Sequence, residues 1–210
     1  MQDNDLDHIL EQRKLIESFQ KQASDKKIPV IGKNTGYFLA FLVKIINPAN
    51  ILEIGCGNGF SSYFILKNMA KGSSYTGIDM NRQRLEQARK LIGKNFPGKT
   101  HSFLCGNALK LIPGLSTSFD LVFIDAAKFE YPLYLDSVKE KIKEGSIIVA
   151  DDIFCRDNIF SSKPSRHFAN SAEGLRIYLE STGPGTGFDT TMLDIDDGLA
   201  VSIYRGAAIE

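Results

Sequence analysis

The sequence predicts an α/β fold: a seven-stranded, mostly parallel sheet with helices on both faces and a C-terminal antiparallel hairpin. Three observations predict it. Short apolar runs alternate with helical patterns between Ile51 and Ala150. A glycine turn, Gly55-Cys56-Gly57-Asn58-Gly59, joins the first of those runs to the helix after it. Thr190–Leu193 and Leu199–Tyr204 are separated only by a tight Asp196-Asp197-Gly198 turn, too little chain for a parallel crossover.

Taken in order, Leu6, Ile9, Leu10, Ile16 and Phe19 recur at helical spacing and predict an amphipathic helix over 5–23. Ile28-Pro29-Val30-Ile31-Gly32 reads as extended, and 36–46 as a second helix stopped by Asn47-Pro48. Ile51–Ile54 is a strand, followed by the glycine turn and a helix over about 60–70. Ser74–Ile78 is the next strand, with Asn81 as cap of the helix after it. Ser102–Leu104 is a strand, then a short helix to Ile112. Leu121–Ile124 is a strand, then a helix through about Lys143, and Ile147–Ala150 is the last parallel strand. The weakly patterned stretch 153–167 directly follows a strand end, where open α/β sheets bind ligands, and reads as a functional loop.

Composition narrows the function classes. A chain of 210 residues with 43% apolar content is enough for one sizeable α/β domain. Lys plus Arg, 25, equals Asp plus Glu, 25, so no general attraction to nucleic acid or an anionic membrane is built in. No segment approaches the roughly 18 apolar residues of a spanning helix, and the apolar stretch Tyr37–Ile46 carries Lys44. The acidic start, Met1-Gln2-Asp3-Asn4-Asp5, lacks a signal peptide's basic region, so a cytoplasmic location is expected. Three cysteines, Cys56, Cys105 and Cys155, at wide spacing are expected to be reduced thiols, not a disulfide framework or a zinc set.

The glycine turn carries the first chemical signal. Its glycines let the backbone turn sharply and approach a ligand closely. A dinucleotide site would want Gly or Ala at position 60, where this chain has Phe60. Glu53, just ahead of the turn, disfavours a pyrophosphate and suits a cationic ligand. Asp79, 26 positions on at the end of the second strand, can accept both ribose hydroxyls of an adenosyl group. Gly57 belongs to the same turn, and Asn107 and Ala108 end the third strand, where such folds contact adenine. Together these residues point to S-adenosylmethionine (SAM).

The second signal is acidic. Phe123-Ile124-Asp125-Ala126-Ala127-Lys128 ends the fourth strand and Val149-Ala150-Asp151-Asp152 the fifth. In a parallel sheet those ends lie side by side, so Asp125, Asp151 and Asp152 converge beside the cofactor. Three bare carboxylates repel one another, and their hard oxygens suit Mg²⁺ first, with Ca²⁺ or Mn²⁺ also fitting.

With these motifs the chain resembles the metal-dependent O-methyltransferase family that includes catechol and caffeoyl-CoA methyltransferases. It is similar also to a bacterial branch that methylates 5-hydroxyuridine at the tRNA wobble position. The resemblance runs from Ile28-Pro29-Val30 to Asp197-Gly198-Leu199-Ala200-Val201-Ser202. It implies a Rossmann-like SAM-dependent methyltransferase domain over 1–210, with 1–35 as helix and cap segment and 153–167 as substrate loop. By position, Asp125 and Asp151 match two metal ligands, and Asp152 stands where the third is usually asparagine. Lys128 matches the proposed general base. Gly55, Ser61 and Asp79 match cofactor positions, Ser61 at the methionine carboxylate, and Ile31 lies where the N-terminal segment closes over the cofactor. The chain departs from the family in its Gly-Cys-Gly-Asn-Gly turn and in Thr191, which stands in place of a catechol-holding acid. It also lacks an evident aromatic substrate residue in Phe154-Cys155-Arg156-Asp157.

The expected reaction is metal-assisted transfer of a methyl group to a hydroxyl of a small phenolic or vicinal-diol acceptor. Two alternatives stand beside it: tRNA 5-hydroxyuridine methylation, suggested by Arg156, Lys163, Arg166 and His167 in the loop, and cofactor binding without catalysis. The resemblance also implies a homodimer, for which the N-terminal helix and the apolar face of 37–46 are the candidate contacts, and the charge balance and lack of a spanning segment predict no membrane partner.

Overall fold

The structure, a computed structural model, describes residues 13, 14, 16–18, 21 and 30–206. Its sheet has seven strands: β1 Asn50–Ile54, β2 Ser74–Asp79, β3 Thr100–Cys105, β4 Phe119–Ile124, β5 Ile142–Asp151, β6 Phe188–Leu193 and β7 Leu199–Tyr204. Their order is β3-β2-β1-β4-β5-β7-β6. β1 to β5 pair in parallel, whereas β7 runs antiparallel to both β5 and β6. The chain moves outward from β1 to β3, then returns to lay β4 on the other side of β1. That reversal opens a crevice at the strand ends between β1 and β4.

The helices are α1 Lys33–Ile46, α2 Phe60–Asn68, α3 Arg82–Asn95, α4 Ala108–Leu111, α5 Tyr131–Lys139 and α6 Ala169–Ser181. Strand alternation divides the core between the two faces of the sheet. Ile51, Leu121, Phe123 and Val149 pack with Leu39 and Val43 of α1, Phe64 of α2 and Leu85 of α3. Leu52, Ile54, Val122, Ile124, Ile148 and Ala150 point the other way, onto Leu135 of α5 and Leu175 of α6. Burying each of the larger of these side chains contributes about 1.5–3 kcal/mol, and this would be lost by a one-residue slip in any strand, which exchanges the two sets.

Residues 13, 14, 16–18 and 21 are helical, Ile16 is buried, and the rest of the predicted 5–23 helix lies outside the described residues, as do Ile28 and Pro29. Val30-Ile31-Gly32 is non-helical, and Ile31 is buried in the first core. α1 begins at Lys33, ahead of the expected 36, because its cap comes from another part of the chain. Gly32 offers no side chain, and Asp196 in the β6–β7 turn accepts hydrogen bonds from Thr35 N at 2.8 Å and Thr35 Oγ1 at 3.0 Å. A Cβ on Gly32 would lie 2.0 Å from Asp196 Oδ2, so the cap requires glycine there.

Two elements correct or extend the sequence reading. The helix after β4 ends at Lys139 instead of about Lys143, and β5 starts at Ile142. The charged run from Lys139 to Glu144 suits a helix locally, but Ile142 pairs with Phe119, and the register then shifts so that Leu121 faces Ile147. Gly145, at φ 86°, and Ser146, whose Oγ donates to Phe119 O at 2.8 Å, take up the extra length. The second is α6, a helix over Ala169–Ser181 for which the sequence pattern gives no clear expectation. Its buried Ala172, Leu175 and Tyr178 have helical spacing, but Ser171 and Gly174 dilute the pattern. Cys56 and Cys155 are buried and Cys105 is exposed, all three as free thiols. Among the described residues, no helix is long and apolar enough to cross a membrane.

Candidate active site

The glycine turn is pressed into the crevice by backbone bonds. Gly55 N and Cys56 N both donate to Ile78 O, at 2.8 and 3.2 Å, and Asp125 N donates to Ile54 O at 2.9 Å. Gly55 sits at φ 93°, and a Cβ there would meet Asp125 O at 2.0 Å. Glycine is therefore needed both for the conformation and for the contact that joins the ends of β1 and β4. Asp79 is fixed across the same opening: Oδ2 accepts from Gly57 N at 2.8 Å and Oδ1 from Asn81 N at 2.7 Å. Each oxygen keeps a further lone pair for a ligand.

Gly55, Gly57, Asp79, Asn107, Ala108, Asp125, Lys128 and Asp152 line one cleft of about 450 Å³. Four of the residues singled out by sequence do not line it: Ile31, Glu53, Ser61 and Asp151, the last buried beside Asp125 and Asp152. Ile31 is packed in the core. Glu53, expected at a cationic ligand, is fully buried beneath the turn. Its carboxyl accepts hydrogen bonds from Ser61 Oγ, from Ser62 Oγ at 2.9 Å and from Tyr75 Oη. Ser61 is buried and directed into the same cluster. The cause is parity: Glu53 alternates with Leu52 and Ile54 and so faces the α1–α3 side. Burial pushes its pKa from 4.5 to about 7, against the three hydroxyls that favour the ionised form.

At the other end of the cleft, one oxygen each of Asp125, Asp151 and Asp152 lie within 4.8 Å of one another. Asp151 is 1% exposed, and its Oδ1 has no hydrogen-bond partner among the described residues. Burial, then the charges of Asp125 and Asp152, raise its pKa well above the carboxylate range. Asp152 is held at φ 53°, a left-handed conformation that aspartate tolerates. Lys128 Nζ lies 2.9 Å from Asp125 Oδ1 and 3.3 Å from Asp152 Oδ2. Burial favours its neutral form, but the Tyr131 hydroxyl and the surrounding carboxylates outweigh this and hold its pKa above the ordinary lysine value. One ammonium against three carboxylates leaves the cluster short of positive charge, and an orphaned buried oxygen leaves it short of a donor. A divalent cation with oxygen ligands fits both deficits.

Sequence reasoning missed the residues that support this site. Tyr131 is fully buried; its hydroxyl accepts from Lys128 Nζ at 3.0 Å and faces the carbonyls of Ile124, at 3.1 Å, and Asp151, at 3.0 Å. It therefore ties the lysine to the ends of both acid-bearing strands. Gly174 of α6 is buried against the turn that carries Lys128: a Cβ there would come within 2.6 Å of Phe129 Cα and 2.8 Å of Lys128 O. Met80, Arg84, Ala126, Ala127, Glu130 and Tyr134 also line the cleft. The usable signals were a tyrosine three residues after Lys128 and a glycine inside a helical pattern.

The stretch 153–167 contains Cys155, Arg156 and Asp157 at φ of 50°, 51° and 62°. Such backbone persists only where surrounding contacts over-determine it. Here Arg156 N donates to both Asp197 oxygens at 3.0 Å, and the Arg176 guanidinium donates to the carbonyls of Ile159, Asn158 and Ser161. Arg156, Lys163, Arg166 and His167 are exposed along this loop.

The model of a family described as O-methyltransferase matches residues 4–202. The chain is 27% identical over 184 residues to a catechol O-methyltransferase of Niastella koreensis, covering 83% of this chain and 82% of that protein. It is 26% identical over 174 residues to caffeoyl-CoA O-methyltransferase 1 of Eucalyptus globulus, covering 79% of this chain and 71% of the relative. Among solved structures, an O-methyltransferase of Streptomyces achromogenes in complex with SAM superposes with a TM-score of 0.81 at 20% identity, over 91% of this chain and 89% of that one. At that identity the likeness is one of fold.

Proposed function

The chain belongs to the O-methyltransferase family, and from that premise we propose that it transfers the methyl group of SAM to a hydroxyl of a small phenolic or vicinal-diol acceptor, using a divalent cation. The observation that carries this reading is the carboxylate set Asp125, Asp151 and Asp152, with an unpartnered buried oxygen on Asp151, of which Asp125 and Asp152 line the same cleft as Asp79 and Asn107.

Asp79 would hold the ribose hydroxyls, Asn107 and Ala108 would face the adenine, and the backbone of Gly55 and Gly57 would border the rest of the cofactor. Glu53 and Ser61 act from behind, bracing the first turn of α2. When bound, SAM supplies a methyl on a sulfonium, which requires an oxygen nucleophile in line with it. Asp125, Asp151 and Asp152 would hold the cation, Mg²⁺ by preference, which when bound lowers the pKa of an acceptor hydroxyl and fixes its position. Lys128 starts as the counter-ion of these carboxylates. It becomes a proton acceptor for the hydroxyl once their charge is offset, with Tyr131 keeping it at the ends of β4 and β5.

A tRNA acceptor is the second reading, favoured by the exposed Arg156, Lys163, Arg166 and His167 beside the site. We place the enzyme in the cytoplasm and as a homodimer; the homodimer is supported by Tyr37, Phe41 and Ile45, which are 44%, 59% and 64% exposed and follow one another at four-residue spacing on α1. The test is methyl transfer from labelled SAM to a catechol panel and to bulk tRNA, with chelator and then with Mg²⁺ restored. Transfer that stops in chelator and returns with Mg²⁺ supports the reading. Full transfer in excess chelator removes the cation from it, and labelling of tRNA alone replaces the small acceptor.

A further inference from the structure

The turn that carries Lys128 also carries Glu130, and the two side chains serve different parts of the cleft. Lys128 meets Asp125 and Asp152, whereas Glu130 Oε2 accepts from Tyr134 Oη of α5 at 2.5 Å. α5 packs on α4, which begins at Ala108, and Glu130 and Tyr134 line the cleft together with Asn107 and Ala108. Polar capacity is sparse there. Asn107 Oδ1 is occupied as the helix cap, accepting from Leu109 N at 2.8 Å. The Tyr134 hydroxyl proton is committed to Glu130. Ala108, Ala126 and Ala127 bring no polar side-chain atom. Glu130 Oε1 makes no hydrogen bond within the protein among the described residues, yet its residue forms part of the cleft wall. A carboxylate can only accept, so Glu130 Oε1 offers an acceptor in a cleft wall where Ala108, Ala126 and Ala127 leave room for a flat ring and the Asn107 amide and Arg84 can only donate.

We propose that Glu130, oriented by Tyr134, is the residue that selects a 6-aminopurine nucleoside in this cleft, by accepting a hydrogen bond from the exocyclic amine. The proposal rests on the SAM reading of the cleft. A 6-oxo purine would turn carbonyl lone pairs toward the carboxylate and leave that acceptor unmatched, the situation in which polar sites discriminate most strongly. Glutamine keeps the shape of Glu130 but can turn its amide to donate or to accept, so it should bind either base.

The experiment measures affinity and needs no turnover: calorimetric binding of S-adenosylhomocysteine and of its 6-oxo (inosyl) analogue to the whole chain and to Glu130→Gln and Tyr134→Phe. The unaltered chain should prefer the 6-amino compound by about ten- to hundredfold, the range for a hydrogen bond to a charged group. Glu130→Gln should bring the two affinities to within a few-fold, mainly by binding the 6-oxo compound better. Tyr134→Phe should reduce the preference partway. Equal melting temperatures for all three chains show that folding is not what is being read. If the unaltered chain binds S-adenosylhomocysteine and Glu130→Gln keeps the full preference, Glu130 does not read the base, while the SAM reading stands. If the unaltered chain binds neither compound, the SAM reading falls and this assignment falls with it.

Discussion

Replacing Glu53 by glutamine tests whether this acid works inside the core or in the ligand cleft. Its carboxyl is fully buried, is met by Ser61, Ser62 and Tyr75, and has its pKa raised from 4.5 to about 7, chiefly by loss of water. An acid whose folded pKa lies above its unfolded value binds its proton more tightly in the folded state. The stabilisation is therefore complete below pH 4.5 and is lost as pH rises toward 7, after which it is flat. The displacement corresponds to about 3 kcal/mol between those limits. Glutamine is isosteric and cannot ionise, and the hydroxyls around it can both donate and accept. Urea unfolding of the two proteins from pH 4.5 to pH 8 at fixed ionic strength isolates Glu53, because every other titrating group cancels in the difference. Relative to the unaltered chain, Glu53→Gln should gain about 3 kcal/mol on going from acid to pH 8, and S-adenosylhomocysteine should bind both proteins alike. A pH-independent stability difference would show that Glu53 titrates normally. Loss of cofactor affinity would show that its charge reaches the ligand after all.

Three further outcomes are expected. Lys128→Met should lower turnover by about 10²–10⁴-fold, as for loss of a general base, while S-adenosylhomocysteine binding stays level; Mg²⁺ should bind more tightly, because a competing cation has gone, and full turnover would reduce Lys128 to a counter-ion. Gly174→Ala gains about 1 kcal/mol of helix propensity but pushes into the backbone of Lys128 and Phe129, an overpacking that costs about 1–3 kcal/mol. Its melting temperature should fall slightly and kcat should fall more than KM changes; unaltered kcat would show that the turn tolerates displacement. Asp196→Ala should cost about 1–2 kcal/mol in urea unfolding through loss of the α1 cap, and Asp196→Asn should restore most of it; equal stability of the Ala variant would mean that water caps the helix as well.

Much of the fold was legible because its evidence is local. Ile51–Ile54 and Leu121–Ile124 are apolar runs of strand length, and Gly55-Cys56-Gly57-Asn58-Gly59 marks where the first must turn. The errors fell where a local pattern met a distant partner. Lys139–Lys143 has helical composition, but Phe119 supplies strand pairing to Ile142. α6 has its apolar period interrupted by Gly174, whose reason for being glycine is the turn at Lys128 and Phe129, some forty-five residues earlier in the chain.

The same division runs through the site. Chain connectivity alone put Asp79, Asn107, Asp125, Asp151 and Asp152 at the carboxyl ends of parallel strands, so the convergence of Asp79, Asn107, Asp125 and Asp152 on one cleft, with Asp151 beside them, was determined by the order of elements. Which way each side chain points, and what it meets, was decided only by packing. Strand parity sends Glu53 away from the cleft into three hydroxyls, and the packing of α5 sets Tyr134 against Glu130 in the cleft wall. The physical reason is range: backbone propensity and apolar period act over a few neighbouring residues, whereas the burial that raises an acid's pKa, orphans Asp151 Oδ1 or orients Glu130 arises from atoms that meet only after distant segments have packed.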